Sequence, residues 1–116
     1  MEEHHLALVS CFIFAKGGRN QEMCLSALIS MADMNMADDR VTFTSIGTDG
    51  QDGPTDAAGA YITPQCMLGS PLTPQHYLDN NDSYSYFCQL NRGDNLIQTG
   101  LTGTNVMDIQ VLLIQP

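Results

Sequence analysis

The amino-acid sequence predicts a single small α/β domain in which helices flank both faces of a mixed β-sheet. Two patterns predict this class: strand-like apolar segments alternate with helical ones, and one helical segment places apolar residues every three or four positions. The length of 116 residues is enough for one domain with a modest core. With 43% hydrophobic and 15% charged residues, the composition is that of a folded protein.

The predicted elements begin with a buried strand over residues 5–15, whose sequence is HLALVSCFIFA. A helix follows, with Asn20 as its N-cap and an end near residues 36–39, because apolar residues recur at helical spacing between them. Further strands are predicted at residues 41–46, 60–63 and 109–114, and further helices at residues 54–58, 74–81 and 82–90. Asp82 is the predicted N-cap of the last helix. The last strand, IQVLLI, is almost wholly apolar, which predicts a buried interior strand.

Charge and cysteine content exclude several classes of protein. The chain has 13 acidic residues against 4 lysines and arginines, a formal net charge of −9, which argues against a nucleic-acid partner. The four cysteines are widely spaced and lack zinc-ligand spacing, so reduced, mostly buried thiols in an intracellular protein are predicted. No stretch approaches the roughly 20 apolar residues of a membrane span, so no membrane association is expected.

Three glycine-bearing turns follow strand-like segments, namely KGGRNQE (16–22), GTDGQDGPTD (47–56) and TGLTGTN (99–105). Such turns gather beside the ends of strands, where α/β proteins bind ligands. The first turn combines bare glycine amides, the guanidinium of Arg19 and the start of a helix, which together favour an anion. A plain glycine turn with Arg19 as a surface charge is the alternative. The third turn offers hydroxyls and amides that suit phosphate oxygens or a hydrogen-bonded turn, but it is not a Walker loop.

The second turn and the residues just after it, 47–60, contain three aspartates among four glycines. Asp49, Asp52 and Asp56 lie within residues 47–60, directly after a predicted strand. Aspartate in such a place forms turn hydrogen bonds, caps a helix or binds a metal ion. The simplest interpretation is a tight turn followed by the N-cap of a short helix.

The order of the motifs resembles the C-terminal domain of class II glycerate kinases, which is known as the MOFRL domain. The resemblance depends on residues 16–22, 47–60, 81–87 and 99–114, and it covers residues 16–116. Residues 1–15 are therefore predicted to be an unmatched N-terminal segment, since they lack the family's glycine-rich lead-in. Leu101 also departs from the family pattern, because a proline is common there.

The resemblance implies an activity and a set of site residues. The family transfers the γ-phosphoryl group of ATP to D-glycerate, giving phosphoglycerate, usually 2-phosphoglycerate, with Mg²⁺. Arg19 and Asp49 are implied to be catalytic, and Asp49 also to bind the metal. Asp52 and Asp56 are expected to shape the loop and cap the following helix. Substrate or phosphate binding is implied for Gly17, Gly18, Asn20, Thr48, Gly50, Thr102, Thr104 and Asn105.

The family's cleft lies between this small domain and a larger N-terminal domain that the sequence lacks. A truncated form, inactive on its own, is therefore expected, and the isolated domain is expected to self-associate. A stand-alone, non-catalytic α/β module that binds a ligand or partner is the alternative. D-glycerate and ATP are the partners implied for the full-length enzyme, in the cytoplasm or, alternatively, in mitochondria.

Overall fold

A computed structural model describes residues 17–116, which form a four-stranded β-sheet and three α-helices. The strand predicted at residues 5–15 lies outside the described residues. The strands are β1 (Val41–Gly47), β2 (Gly59–Ile62), β3 (Leu96–Ile97) and β4 (Asp108–Ile114). The helices are α1 (Arg19–Asp33), α2 (Pro74–Asp79) and α3 (Ser83–Gln89), with 3₁₀ turns at Pro64–Met67 and Leu90–Gly93.

The strand order in the sheet is β3-β2-β1-β4, and each described pair is antiparallel. Phe43 at the centre of β1 lies opposite Ile62 of β2 on one side and Leu112 of β4 on the other. The predicted α/β class and the single small domain are confirmed. The parallel pairing that a mixed sheet requires does not occur among the strands of residues 17–116.

The core lies between α1 and one face of the sheet. Cys24, Leu25, Leu28 and Met31 recur on one side of α1 and are buried, as their spacing predicts. They pack with apolar residues of β2 and α3, namely Ala60, Ile62, Tyr86 and Phe87. Among the described helices, α1 makes the main contacts with the sheet, and α2 and α3 pack against α1. Helices on both faces of the sheet are therefore not found within residues 17–116.

In the part of the chain that the structure describes, the apolar strand β4 is not the buried interior strand that its composition predicts. Within residues 17–116 it pairs with β1 alone and lies at the edge of the sheet. Val111 and Leu113 are each 52% exposed, and Ile114 is 66% exposed. An apolar run shows that both faces of a strand favour burial, but it does not show what covers them. An exposed apolar edge favours pairing with another chain, so self-association of the isolated domain stays a prediction.

The bounds of two predicted helices differ from those in the structure. The N-cap of α1 is Gly18 instead of Asn20, and the helix ends at Asp33. The helix predicted at residues 54–58 is replaced by bends, because the Thr55 hydroxyl bonds to local backbone groups that a helix would use. Helices α2 and α3 are confirmed, with Asp82 as the N-cap of α3.

No helix within residues 17–116 is long and apolar enough to cross a membrane.

The three described cysteines are free thiols in different surroundings. Cys24 is fully buried, and its sulfur donates a hydrogen bond to the carbonyl oxygen of Ala60 at 3.2 Å. Burial raises the pKa of the Cys24 thiol to about 12. Cys66 is half-buried and Cys88 is exposed, so the prediction of mostly buried thiols is wrong for Cys88.

Candidate functional site

The three glycine-bearing turns meet at the end of the sheet where β1 ends and β4 begins. We call this region the loop cluster and define it as residues 17–20, 47–58 and 99–108. Arg19 at the start of α1 contacts Asp108 at the start of β4. The amide of Thr102 donates to the carbonyl oxygen of Asp49 at 3.2 Å. The structure therefore brings together segments that lie far apart in the sequence.

Asp52 caps helix α1 from the neighbouring loop. Its Oδ1 accepts a hydrogen bond from the Asn20 amide at 3.1 Å, and its Oδ2 accepts one from the Gln21 amide at 2.8 Å. The carboxylate supplies the negative charge that a helix N terminus favours, so two amides at the helix start, where a ligand anion was expected, are already bonded. A Cβ at Gly18 would lie 2.2 Å from Asp52 Cγ, which explains the glycine there. The expectation that Asp52 caps a following helix is wrong, because it caps the preceding one.

The Asn20 side chain links Asp52 to Asp108 through a buried hydrogen bond to Asp52 and a part-buried one to Asp108. Its Nδ2 donates to Asp52 Oδ1 at 3.1 Å and to Asp108 Oδ1 at 3.3 Å. Its Oδ1 accepts from Ser45 Oγ at 2.6 Å, and Ser45 Oγ in turn accepts from Gln110 Nε2 at 3.1 Å. Asn20 and Ser45 are almost completely buried, so these bonds replace those that water would make. Asn20 thus orients two carboxylates, and its polar groups are bonded within the protein.

Arg19 is held at the surface of the loop cluster by Asp108. The arginine Nε donates to Asp108 Oδ2, and Nη2 donates to Oδ1 at 3.0 Å, so both carboxylate oxygens are engaged. The hydrogen-bonded Asp108 raises the pKa of Arg19, and the charges of Asp52 and Asp49 raise it further. The hydrogen bonds from Arg19 lower the pKa of the Asp108 carboxyl, with a smaller contribution from Asn20. The Arg19 side chain is 70% exposed, which leaves its outer edge open to a ligand.

Thr48 and Thr102 hold two of the loops together. Thr48 Oγ1 accepts from the Val106 amide and donates to the Met107 carbonyl oxygen, both at 2.8 Å. Thr102 Oγ1 donates to the Thr48 carbonyl oxygen at 2.6 Å. Two of the hydroxyls expected to bind phosphate, those of Thr48 and Thr102, are therefore used within the loop cluster, and the backbone of Thr104 contacts the Thr102 hydroxyl. Asn105 has a similar use, since its Oδ1 accepts from the Met107 amide at 2.9 Å.

Gly50 is required where these two loops touch. Its φ of +92° lies in the left-handed region, and a Cβ there would lie 2.0 Å from the carbonyl oxygen of Gly100. Next to this contact is a shallow cleft of about 310 Å³. Its lining residues are Gly50, Gln51, Thr55, Asp56, Gly100 and Leu101. The close approach of the two backbones gives the loop cluster its shape.

Asp49 lies two residues after the end of β1 and makes a local hydrogen bond within its own loop. Its Oδ1 accepts from the Gln51 amide at 3.0 Å, and its side chain is half-buried. Within residues 17–116, no group of three or more acidic, histidine or cysteine side chains is arranged to hold a metal ion. Mg²⁺ commonly uses one or two protein carboxylates together with substrate phosphates and water. A single carboxylate such as that of Asp49 therefore fits Mg²⁺ only together with ligands from a bound phosphate compound, from water or from another protein segment.

Asp56, which lines the shallow cleft, contacts helix α3. Its Oδ1 accepts from the Tyr84 hydroxyl at 2.6 Å, which ties the loop to α3. This hydrogen bond raises the pKa of Tyr84 above its ordinary value. The contact supports the expectation that Asp56 shapes the loop.

Sequence reasoning missed Asp108, Ser45 and Gln110 as parts of the site. Asp108 is the single acidic residue at the head of an apolar strand, and Ser45 is a small polar residue inside β1. Both positions indicate a polar contact, since a polar side chain within or beside an apolar strand needs a hydrogen-bond partner. Their partners lie up to 89 residues away in the chain, which spacing alone does not indicate.

The profile of the MOFRL family matches residues 5–108, so the chain belongs to the MOFRL family. The match begins before residue 16, where the motifs predict the domain boundary. An uncharacterised protein of Caenorhabditis elegans is 54% identical over 100 residues, which cover 85% of this chain and 22% of that relative. The glycerate kinase of Homo sapiens is 44% identical over 104 residues, 87% of this chain and 20% of the relative. The D-glycerate 2-kinase of Thermotoga maritima is 45% identical over 101 residues, which cover 84% of this chain and 22% of that relative.

Solved structures of similar proteins have the same fold in this region. The crystal structure of glycerate kinase from Thermotoga maritima matches with a TM-score of 0.73 and 42% identity, over 87% of this chain and 23% of that one. A protein of Pyrococcus horikoshii matches with a TM-score of 0.71 and 33% identity, over 86% and 22%. The chain spans about a fifth to a quarter of the length of the relatives that it matches.

Proposed function

We propose that the loop cluster is one wall of the active-site cleft of an ATP-dependent glycerate kinase. The observation that supports this most is the convergence of the three loops around Arg19 and Asp49 in a domain similar to part of known glycerate kinases. The opposite wall belongs to the larger remainder that such relatives have. The substrates in this proposal are D-glycerate and ATP, the product is 2-phosphoglycerate, and the compartment is the cytoplasm.

Arg19 and Asp49 have the main roles in this proposal. The outer edge of the Arg19 guanidinium donates hydrogen bonds to the glycerate carboxylate or to the transferred phosphoryl oxygens, whose charge it stabilises. The Asp49 carboxylate faces the substrate or Mg²⁺. When bound, Mg²⁺ neutralises the charge on the phosphate oxygens of ATP. The other implied residues contribute chiefly by shaping the cleft, since most of their polar groups hold the loops together.

The charges of the loop cluster explain why a second wall is needed. One arginine lies among three carboxylates, those of Asp108, Asp52 and Asp49. An anionic substrate approaching Arg19 therefore meets a mostly negative surface, which opposes its binding. Additional positive charge has to come from Mg²⁺ or from residues outside those described here. The domain alone thus lacks the electrostatic balance that phosphoryl transfer requires.

We expect the isolated 116-residue chain to have no glycerate kinase activity. The reason is that proximity and charge stabilisation both need groups from two sides of the cleft. The experiment incubates the folded chain with D-glycerate, ATP and Mg²⁺ and measures phosphoglycerate by mass spectrometry, with the Thermotoga maritima enzyme as positive control. Turnover by the chain alone at about 1–100 s⁻¹, the usual range for kinases, would show that no second wall is needed.

A further inference from the structure

We propose that Asp108 is a positioning residue that holds Arg19 in the orientation needed to meet an anionic ligand. This inference rests on the proposed function, because it assigns a second residue to the same cleft. Asp108 is the first residue of β4 and Arg19 is the first residue of α1. The contact therefore joins the start of a helix to the start of a strand. The backbone of α1 is held by hydrogen bonds within the helix, and that of β4 is held by its pairing with β1.

The geometry of the pair fixes the plane of the guanidinium. Both oxygens of Asp108 accept hydrogen bonds, one from Arg19 Nε and one from Nη2. Two parallel hydrogen bonds between planar groups fix the orientation of the guanidinium as well as its distance from Asp108. A lysine in place of Arg19 would offer a single ammonium group, which fixes the distance but not an orientation. The Arg19 side chain is 70% exposed, whereas that of Asp108 is 19% exposed. Asp108 is thus the more buried member of the pair, and its two hydrogen bonds do not involve Arg19 Nη1.

Asp108 is itself held by buried residues. Asn20 Nδ2 donates to Asp108 Oδ1, and the Asn20 side chain is fixed by Ser45 and Asp52. A long exposed arginine without such support would occupy many rotamers and would lose that freedom on binding a ligand. The buried hydrogen bonds therefore pre-order Arg19 before a ligand arrives.

A simple surface ion pair is the competing interpretation. Exposed ion pairs contribute little to stability, and their loss need not change a reaction at all. A positioning role requires that the effect of Asp108 on the reaction passes through Arg19. The two interpretations therefore differ in whether the effects of removing the two residues add.

The kinetic test is a double-mutant cycle in a full-length glycerate kinase that carries arginine and aspartate at the positions equivalent to Arg19 and Asp108. We expect Asp108→Asn to lower kcat/KM about 100-fold, the usual effect of misplacing a reacting group by an ångström. We expect Arg19→Ala to lower it more, and the double variant to equal Arg19→Ala within about threefold. Asp108→Glu should have a higher kcat/KM than Asp108→Asn, since glutamate again offers two carboxylate oxygens to Arg19.

Three outcomes have distinct meanings. Losses that multiply in the double variant, or an Asp108→Asn variant with wild-type kcat/KM, would overturn the positioning role while leaving the proposed function intact. An Arg19→Ala variant with wild-type kcat/KM would instead overturn the proposed function. Thermal unfolding of each variant checks that the enzyme is folded.

A spectroscopic test uses the 116-residue chain itself. We expect the Arg19 Nε–H proton to exchange slowly in the wild type and rapidly in Asp108→Asn, with Asp79→Asn as a control for loss of a carboxylate. Asp79 lies on α2 and accepts a single hydrogen bond from Gln75. Because the pKa of Asp108 is lowered, the Arg19 signal should stay constant from pH 7 to about pH 4 and change below it. Equal exchange rates in the wild type and Asp108→Asn would contradict the inference.

Discussion

Replacement of the arginine equivalent to Arg19 by alanine, in a full-length glycerate kinase that carries the same motifs, is expected to lower kcat about 100- to 1000-fold. The physical reason is the loss of a preorganised charge at the point where negative charge moves during phosphoryl transfer. Lysine at this position should restore only part of the activity, because a point charge cannot bond to Asp108 and to a ligand with a planar fork. Steady-state kinetics with D-glycerate and ATP measure the effect, beside thermal unfolding.

Two aspartates of the second loop serve as a matched pair in the same experiment. Alanine at the position of Asp49 should lower kcat strongly with little change in stability, since its carboxylate makes one local hydrogen bond to Gln51. Alanine at the position of Asp56 should leave kcat near the wild-type value, because the Asp56 carboxylate is engaged by the Tyr84 hydroxyl and serves to tie the loop to α3. If the Asp56 variant alone lost kcat, the chemistry would lie on residues other than those proposed.

Asp52→Ala in the 116-residue chain is expected to lower the free energy of unfolding by about 2–4 kcal/mol. Loss of a helix cap costs about 0.5–2 kcal/mol, and an unpaired buried donor costs about 1–3 kcal/mol. Asp52 accepts three hydrogen bonds, two from Asn20 and one from Gln21, and is 2% exposed. Urea denaturation of the wild type and the variant measures the difference.

Asp79→Asn is the control for this stability measurement. Its side chain is exposed on α2 and accepts one hydrogen bond, so we expect a change within about 0.5 kcal/mol. Amide hydrogen exchange at Gln21 provides a second measurement and should be faster in Asp52→Ala. Wild-type stability together with wild-type exchange at Gln21 would show that Asp52 does not cap α1.

The strands and helices that could be predicted from the sequence are those with a clear local pattern. Helix α1 shows a repeat of apolar residues, and β1 and β4 consist of β-branched and apolar residues between turn signals. The turns between them were identified from glycine and aspartate, and the structure brings them together. Local pattern was enough because each element satisfies most of its backbone hydrogen bonds within itself or with its neighbour in the sheet.

The contacts that shape the site could not be predicted, because they join residues far apart in the chain. Asp52 bonds to Asn20 across 32 positions, and Asp108 bonds to Arg19 across 89. Such pairing depends on the relative placement of α1, β1 and β4, which no local pattern determines. For the same reason the exposure of β4 could not be predicted, since burial depends on what lies beside a strand.

The proposal that residues 17–116 supply a working wall of a glycerate kinase cleft is tested most directly by a chimera. Residues 17–116 replace the corresponding part of the Thermotoga maritima glycerate kinase, and phosphoglycerate formation is measured with and without Arg19→Ala. We predict turnover by the chimera and at least about a 100-fold loss on Arg19→Ala. A chimera that unfolds cooperatively but is inactive, or whose turnover is unchanged by Arg19→Ala, would contradict the proposal.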